Sequence, residues 1–114
     1  MYFRIMKPIY NRLLPIKGFV AINLFGIIFA RKKYRLGQVE INHERIHTHQ
    51  MIELFIVFFY LFYLIEWLIK LVYYRNFMKA YRSISFEREA YTFQMDLNYL
   101  KRRKMFEWRK FLRV

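Results

Sequence analysis

The chain is expected to fold as one α+β domain over residues 1–114, mainly helical, and three observations lead there. Two short apolar runs, 18–24 and 27–31, lie on either side of Gly26 and have the length and composition of strands, with Gly26 as a bulge or the turn between them. Upstream, residues 1–17 mix apolar and basic side chains, and Pro8 and Pro15 break any long helix. After Gly37 a long helix is expected from near Gln38, through the motif below, into an apolar segment at 51–74. A second long helix is expected to start at Ser83 or Ser85, either of which can cap it. Glu87 and Glu89 then fall in its first turn, and it runs to the basic end near Lys104.

The residues that carry chemistry are His43-Glu44-Arg45-Ile46-His47, an H-E-x-x-H pattern. Four residues make slightly more than one helical turn, so His43 and His47 share a face and can ligate one metal ion together. Glu44, beside them, is placed to hold and deprotonate a metal-bound water. Gln50 falls on the same face, while His49 points well away and is a poor ligand. The chain has no cysteine, so any zinc must be held by imidazole and carboxylate.

A catalytic zinc site needs a third protein ligand and an open position. Ser85-Phe-Glu-Arg-Glu-Ala-Tyr91 offers Glu87 and Glu89, which face different directions on a helix because they are two apart. Glu87 is the choice. One turn after it stands Ala90, small enough to let the two helices approach until the carboxylate reaches the metal. Tyr91 would lie near the site, either simply packed there or with its hydroxyl steadying a ligand or a developing oxyanion. Glu89 is expected to be exposed or to fix a histidine ring nitrogen from behind.

Composition points to a surface of contact. The chain is 57% hydrophobic and 22% aromatic, and it carries a net charge of +13. That charge suits nucleic acid or the anionic face of a membrane. The basic residues gather at Arg31-Lys32-Lys33 with Arg35, and at Lys101-Arg102-Arg103-Lys104, both beside strongly apolar segments, which favours the membrane. Residues 54–65, LFIVFFYLFYLI, have no polar face and belong in lipid or in a protein core. Extended to residue 74 the segment admits Glu66 and Lys70, spaced i, i+4 in the favoured order for an ion pair. The tail 101–114 interleaves Phe106, Trp108, Phe111 and Leu112 with cations, as an interfacial helix does. No cleavable signal peptide is expected, because the apolar run 18–30 contains Asn23 and ends in Arg-Lys-Lys.

His43-Glu44-x-x-His47 followed by Glu87-x-x-Ala90 resembles the gluzincin metallopeptidases, among them membrane-embedded heat-shock and prenyl-protein peptidases. It also looks like small bacterial membrane-associated proteins with an N-H-E-x-I-H helix, an aromatic apolar segment and an F-E-x-E-A-Y helix. That second resemblance covers most of the chain and implies no activity by itself. The first implies a minimal zincin-like fold, Zn2+ on His43, His47 and Glu87, and Glu44 as general base in peptide hydrolysis. The chain departs from many of those peptidases in having Tyr91 where they carry Asp or Asn. The expected partners are a peptide or protein substrate and membrane lipids rather than nucleic acid. The expected location is a membrane, with the basic tail on the cytoplasmic side. Two other readings are a silent zinc-binding membrane interaction protein and a basic nucleic-acid binder. The second needs a solvated basic face with accessible aromatics, whereas the aromatics here crowd into the uncharged run 55–63.

Overall fold

A computed structural model describes residues 8–11, 21–31 and 36–113. The first part of the early apolar run, 18–20, and most of the first basic cluster, 32–35, lie outside the described residues. The chain is α+β and mainly helical, with a small N-terminal sheet followed by helices. The sheet holds β1 (Ile9–Asn11), β2 (Ala21–Leu24) and β3 (Ile27–Arg31) in the order β1-β3-β2. β2 and β3 form the expected antiparallel hairpin, and β1 adds a parallel strand on the far side of β3. The turn is Phe25-Gly26, with φ of 56° and 89°. Positive φ at both positions matches the twist of a tight hairpin, and only Gly26 adopts it without steric cost.

Helix α1 (Gln38–Glu53) carries the motif, and the Glu40 carboxylate accepts the Gly37 N–H at 2.7 Å to close its first turn. The sheet is fastened to it by Asn23 of β2. The Asn23 amide donates to the Glu44 carbonyl at 2.7 Å and to Thr48 Oγ1 at 2.6 Å.

The apolar segment does not continue α1. The chain turns at 54–56, with Phe55 and Ile56 at φ of 54° and 65°, and restarts as α2 (Val57–Tyr74). The expected single helix from 38 to 74 is therefore two helices folded together. The cause is tertiary: Arg103 grips Glu53 at 2.9 and 3.0 Å, and the Phe106 N–H donates to Glu53 at 2.6 Å. These bonds pin the end of α1, and the turn lets Phe59 pack 6.3 Å from the His47 ring.

Helix α3 (Phe77–Arg82) is capped by Asn76, whose side chain accepts the Lys79 N–H at 2.9 Å. Helix α4 (Ser85–Phe93) is shorter than the long second helix expected, and α5 (Tyr99–Arg102) stands apart from it. Asn42, just before the motif, explains the break. Its amide lies 2.9–3.3 Å from the carbonyls of Phe93, Gln94 and Asp96 and so holds the end of α4 open. Neither serine caps α4. Instead Ser85 donates its N–H and hydroxyl to Glu66 of α2, both at 2.6 Å. Glu66 also pairs with Lys70 at 2.7 Å, the i, i+4 bridge expected from spacing.

The tail corrects another expectation. It is not an interfacial helix but a short 3-10 turn, Glu107–Phe111, folded back on α4. Trp108 is buried with its ring 4.9 Å from Phe86, and Arg88 donates to the carbonyls of Phe111 and Arg113. The main core cluster is Met51, Phe59, Ile84, Phe86 and Trp108, directly beneath the motif.

Candidate metal centre

One turn of α1 places the two imidazoles side by side, with ring centroids 4.9 Å apart. The first turn of α4 brings Glu87 against both. Ala90, wholly buried one turn later, is where α4 meets Ile46 of α1, as the small-residue argument required. Glu87 Oε1 stands 3.2 Å from His43 Nε2 and 3.1 Å from His47 Nε2, and the two Nε2 atoms are 3.2 Å apart. His43, His47 and Glu87 thus form a buried group able to hold a metal ion.

The surroundings decide which atoms face inward. Gln50 donates its amide to the Phe86 carbonyl at 3.0 Å and to Glu89 Oε1 at 2.9 Å, so its oxygen must be the atom 2.8 Å from His47 Nδ1. His47 therefore carries its proton on Nδ1 and turns the Nε2 lone pair to the centre. The Gln94 oxygen, 2.9 Å from His43 Nδ1, does the same for His43. Tyr63 of α2 donates to Glu87 Oε2 at 2.7 Å, leaving Oε1 for the centre. Three electron-rich atoms then converge on one point in a place almost closed to water, with His43, His47 and Glu87 at most 5% exposed. Such a cluster is stable only around a cation or a shared proton.

The donor set fits a tetrahedral ion. Ligand bonds of about 2.0–2.1 Å put neighbouring ligand atoms roughly 3.3–3.4 Å apart. The edges here, 3.1–3.2 Å, need little change to reach that.

Electrostatics follow the same geometry. Burial alone would lower the His47 pKa, but the carboxylate of Glu87 outweighs it and holds the imidazole up at about 9. Burial pushes Glu87 upward, and the two imidazoles pull it down further, to well below the usual carboxylate range. Glu44, buried beside the triad, has its pKa raised by burial, with the histidines opposing.

Tyr91 lies where the sequence placed it, but its ring rather than its hydroxyl meets the site. The ring packs 4.4 Å from His43, under the Arg82 guanidinium, and its hydroxyl is 3.4 Å from that of Tyr81. The hydroxyl that touches a ligand belongs to Tyr63, inside the apolar run, where no local signal marks it. Glu89 is fully buried, not exposed. It acts through Gln50, while accepting from Tyr99 at 2.6 Å and pairing with Arg103. His49 takes no part in the triad. On the other side of Tyr63 a cavity of about 410 Å3 is lined by Tyr60, Tyr63, Leu64, Trp67, Phe77 and Tyr81.

Compared with family models, curated proteins and solved structures, the chain matches none. The chemistry of the centre is therefore read from its own geometry.

Proposed function

We propose that the chain is a zinc-dependent metallopeptidase that hydrolyses peptide bonds at a membrane. The observation that carries this reading is the convergence of His43 Nε2, His47 Nε2 and Glu87 Oε1 within 3.2 Å, with the Glu44 carboxyl enclosed beside them. Imidazole and carboxylate donors without thiolate suit zinc. The gluzincin pattern of the motif and the following Glu87 adds weight from the sequence alone.

Bound zinc would supply a water acidified towards neutrality and an electrophile for the carbonyl oxygen. Glu44, buried beside the triad, would serve as the general base, taking a proton from the attacking water and handing it to the leaving amine. Gln50 and Gln94 keep both ring tautomers fixed throughout, and Tyr63 keeps Glu87 from turning away. β2, an outer strand of the sheet beside α1, is placed to pair with an extended peptide. The aromatic cavity next to Tyr63 has room for a large apolar side chain of the substrate.

One observation favours a second reading, in which the zinc is structural and the protein is a silent interaction module. The three ligands are nearly sealed from solvent, and closed sites hold structural metal. Purified protein should contain about one zinc per chain, and His43→Ala should lose it. Glu44→Gln should keep the metal and lose hydrolysis of a quenched peptide library. Identical behaviour of wild type and Glu44→Gln, both zinc-loaded, selects the silent module. Wild type holding no more metal than His43→Ala ends both readings.

A further inference from the structure

Helix α2 is long and apolar enough to cross a membrane, yet only Phe59 and Lys70 of its eighteen residues are buried. Its two sides differ. Phe58, Leu61, Phe62, Ile65, Leu68 and Val72 repeat at three- and four-residue spacing and are exposed, without one polar side chain among them. The opposite side packs on the core through Phe59 and makes polar bonds to the rest of the protein at intervals along its length. Tyr60 bonds the Asn23 carbonyl and the Phe25 N–H near the first turn, and Tyr63 bonds Glu87 in the next. Glu66 and Lys70 then bind Ser85 and the Ser83 carbonyl, and Lys79 of α3 lies over the Tyr74 ring at the end.

A helix crossing the hydrocarbon upright would drag this whole side in with it, including Glu66, Lys70 and the metal ligands behind Tyr63. Charged groups inside a bilayer are too costly for that. We propose instead that α2 docks lengthwise on an anionic bilayer, its exposed face sunk into the headgroup–acyl boundary and its bonded side kept wet. A helix lying so buries its apolar face about 5–10 Å deep. With a helix diameter of about 10–12 Å, the metal centre behind α2 then sits at headgroup level. The substrate is accordingly a polypeptide segment running close along the membrane surface.

Charge selects the occupant. The chain carries +13, and Arg75, Lys79 and Arg82 are exposed from the end of α2 to the end of α3. A second copy brought face to face would add another +13, whereas phosphatidylglycerol or a similar lipid neutralises it.

The docking rests on the membrane half of the reading above and not on its catalytic half; the substrate assignment alone rests on the catalytic half. The full chain has no cysteine, so single labels can be placed freely. Phe58→Cys, Leu61→Cys, Ile65→Cys and Val72→Cys, each spin-labelled and bound to phosphatidylcholine vesicles with about 30% phosphatidylglycerol, should report one common depth. An upright helix would spread the outer two by about 21 Å, and that gradient overturns the proposal. Binding should be at least about tenfold tighter than to pure phosphatidylcholine; equal or absent binding also overturns it. Leu61→Ser, Ile65→Ser and Leu68→Ser together should weaken binding on the order of a hundredfold, with zinc content and circular dichroism unchanged. If those three changes instead abolish a lipid-free dimer and leave vesicle binding intact, the face belongs to a second copy. Glu44→Gln should bind vesicles like wild type even when hydrolysis is gone, which separates failure of the chemistry from failure of the docking.

Discussion

At the residue scale, two glutamines orient the two histidines so that both could serve a metal. An imidazole left alone can protonate either nitrogen, and only one tautomer presents a lone pair to the centre. Gln50 is itself oriented by the Phe86 carbonyl and Glu89, so its oxygen is aimed at His47 Nδ1 before any ion arrives. Gln50→Leu should therefore keep one zinc per chain but weaken its affinity about 10–100-fold, read by competition with a chelator. Metal and proton compete for the same Nε2. Without metal, His47 is held protonated up to about 9, so zinc affinity should rise about tenfold per pH unit from 7 and level off above that point. The metal-free fold responds with the opposite sign. His47 is raised above its ordinary value, so its pairing with Glu87 stabilises fully below about 6.5 and fades as pH passes about 9. The meeting of His43, His47 and Glu87 was legible from spacing and from the small Ala90, and so was the face shared by Gln50. The touch of Tyr63 on Glu87 was not, because it joins residues twenty-four apart through a helix that had first to fold back.

At the element scale, the helix ends are set by side chains from distant helices. Asn42 ends α4, Glu53 and Arg103 end α1, and Glu66 of α2 binds the start of α4. The sequence pattern placed α1, α2 and α4 but missed α3 and overran both breaks, since neither residues 54–56 nor 94–98 contain the glycine or proline that marks a stop. The ion pair inside this scheme is testable. Lys70 is 4% exposed and relies on Glu66 and the Ser83 carbonyl. Glu66→Gln strands that charge and should cost about 3 kcal/mol in chemical denaturation. Glu66→Gln with Lys70→Met should recover most of the loss, because the apolar stem of methionine needs no partner.

For the molecule as a whole, the balance inside and outside is unusual. Among the described residues, eleven buried hydrophobic side chains are matched by twelve buried polar or charged ones, while most of α2 faces outward. Apolar surface that would fill the interior of a larger domain is instead displayed on α2, the feature on which the proposed lipid docking rests. The polar interior would also make a bound metal a structural partner of the chain, since without one two imidazoles and a carboxylate are crowded in a closed space between α1 and α4. Zinc at about a thousandfold over its Kd should add about 4 kcal/mol to stability. Chelation should lower Tm by more than 10 °C, given about 4–8 °C per kcal/mol for a domain near this size. A Tm unmoved by chelator would show that α1 and α4 are joined without help from an ion.

The sequence by itself determined the elements whose physics is local. The hairpin at Gly26, the helical spacing of His43 and His47, and the choice of Glu87 over Glu89 all follow from turn chemistry and from the 3.6-residue period. Those rules act within a few residues and leave their mark in the order of the letters. Only the tertiary structure decided where α1 stops, that the tail folds back on α4 with Trp108 buried, and that Glu89 stands behind Gln50. Each of these turns on bonds between residues 23 to 53 apart, such as Glu53 with Arg103 and Phe106, Arg88 with Phe111, or Gln50 with Glu89. The partner's identity is then set by the fold, not by any nearby residue, so no reading of the local pattern could supply it.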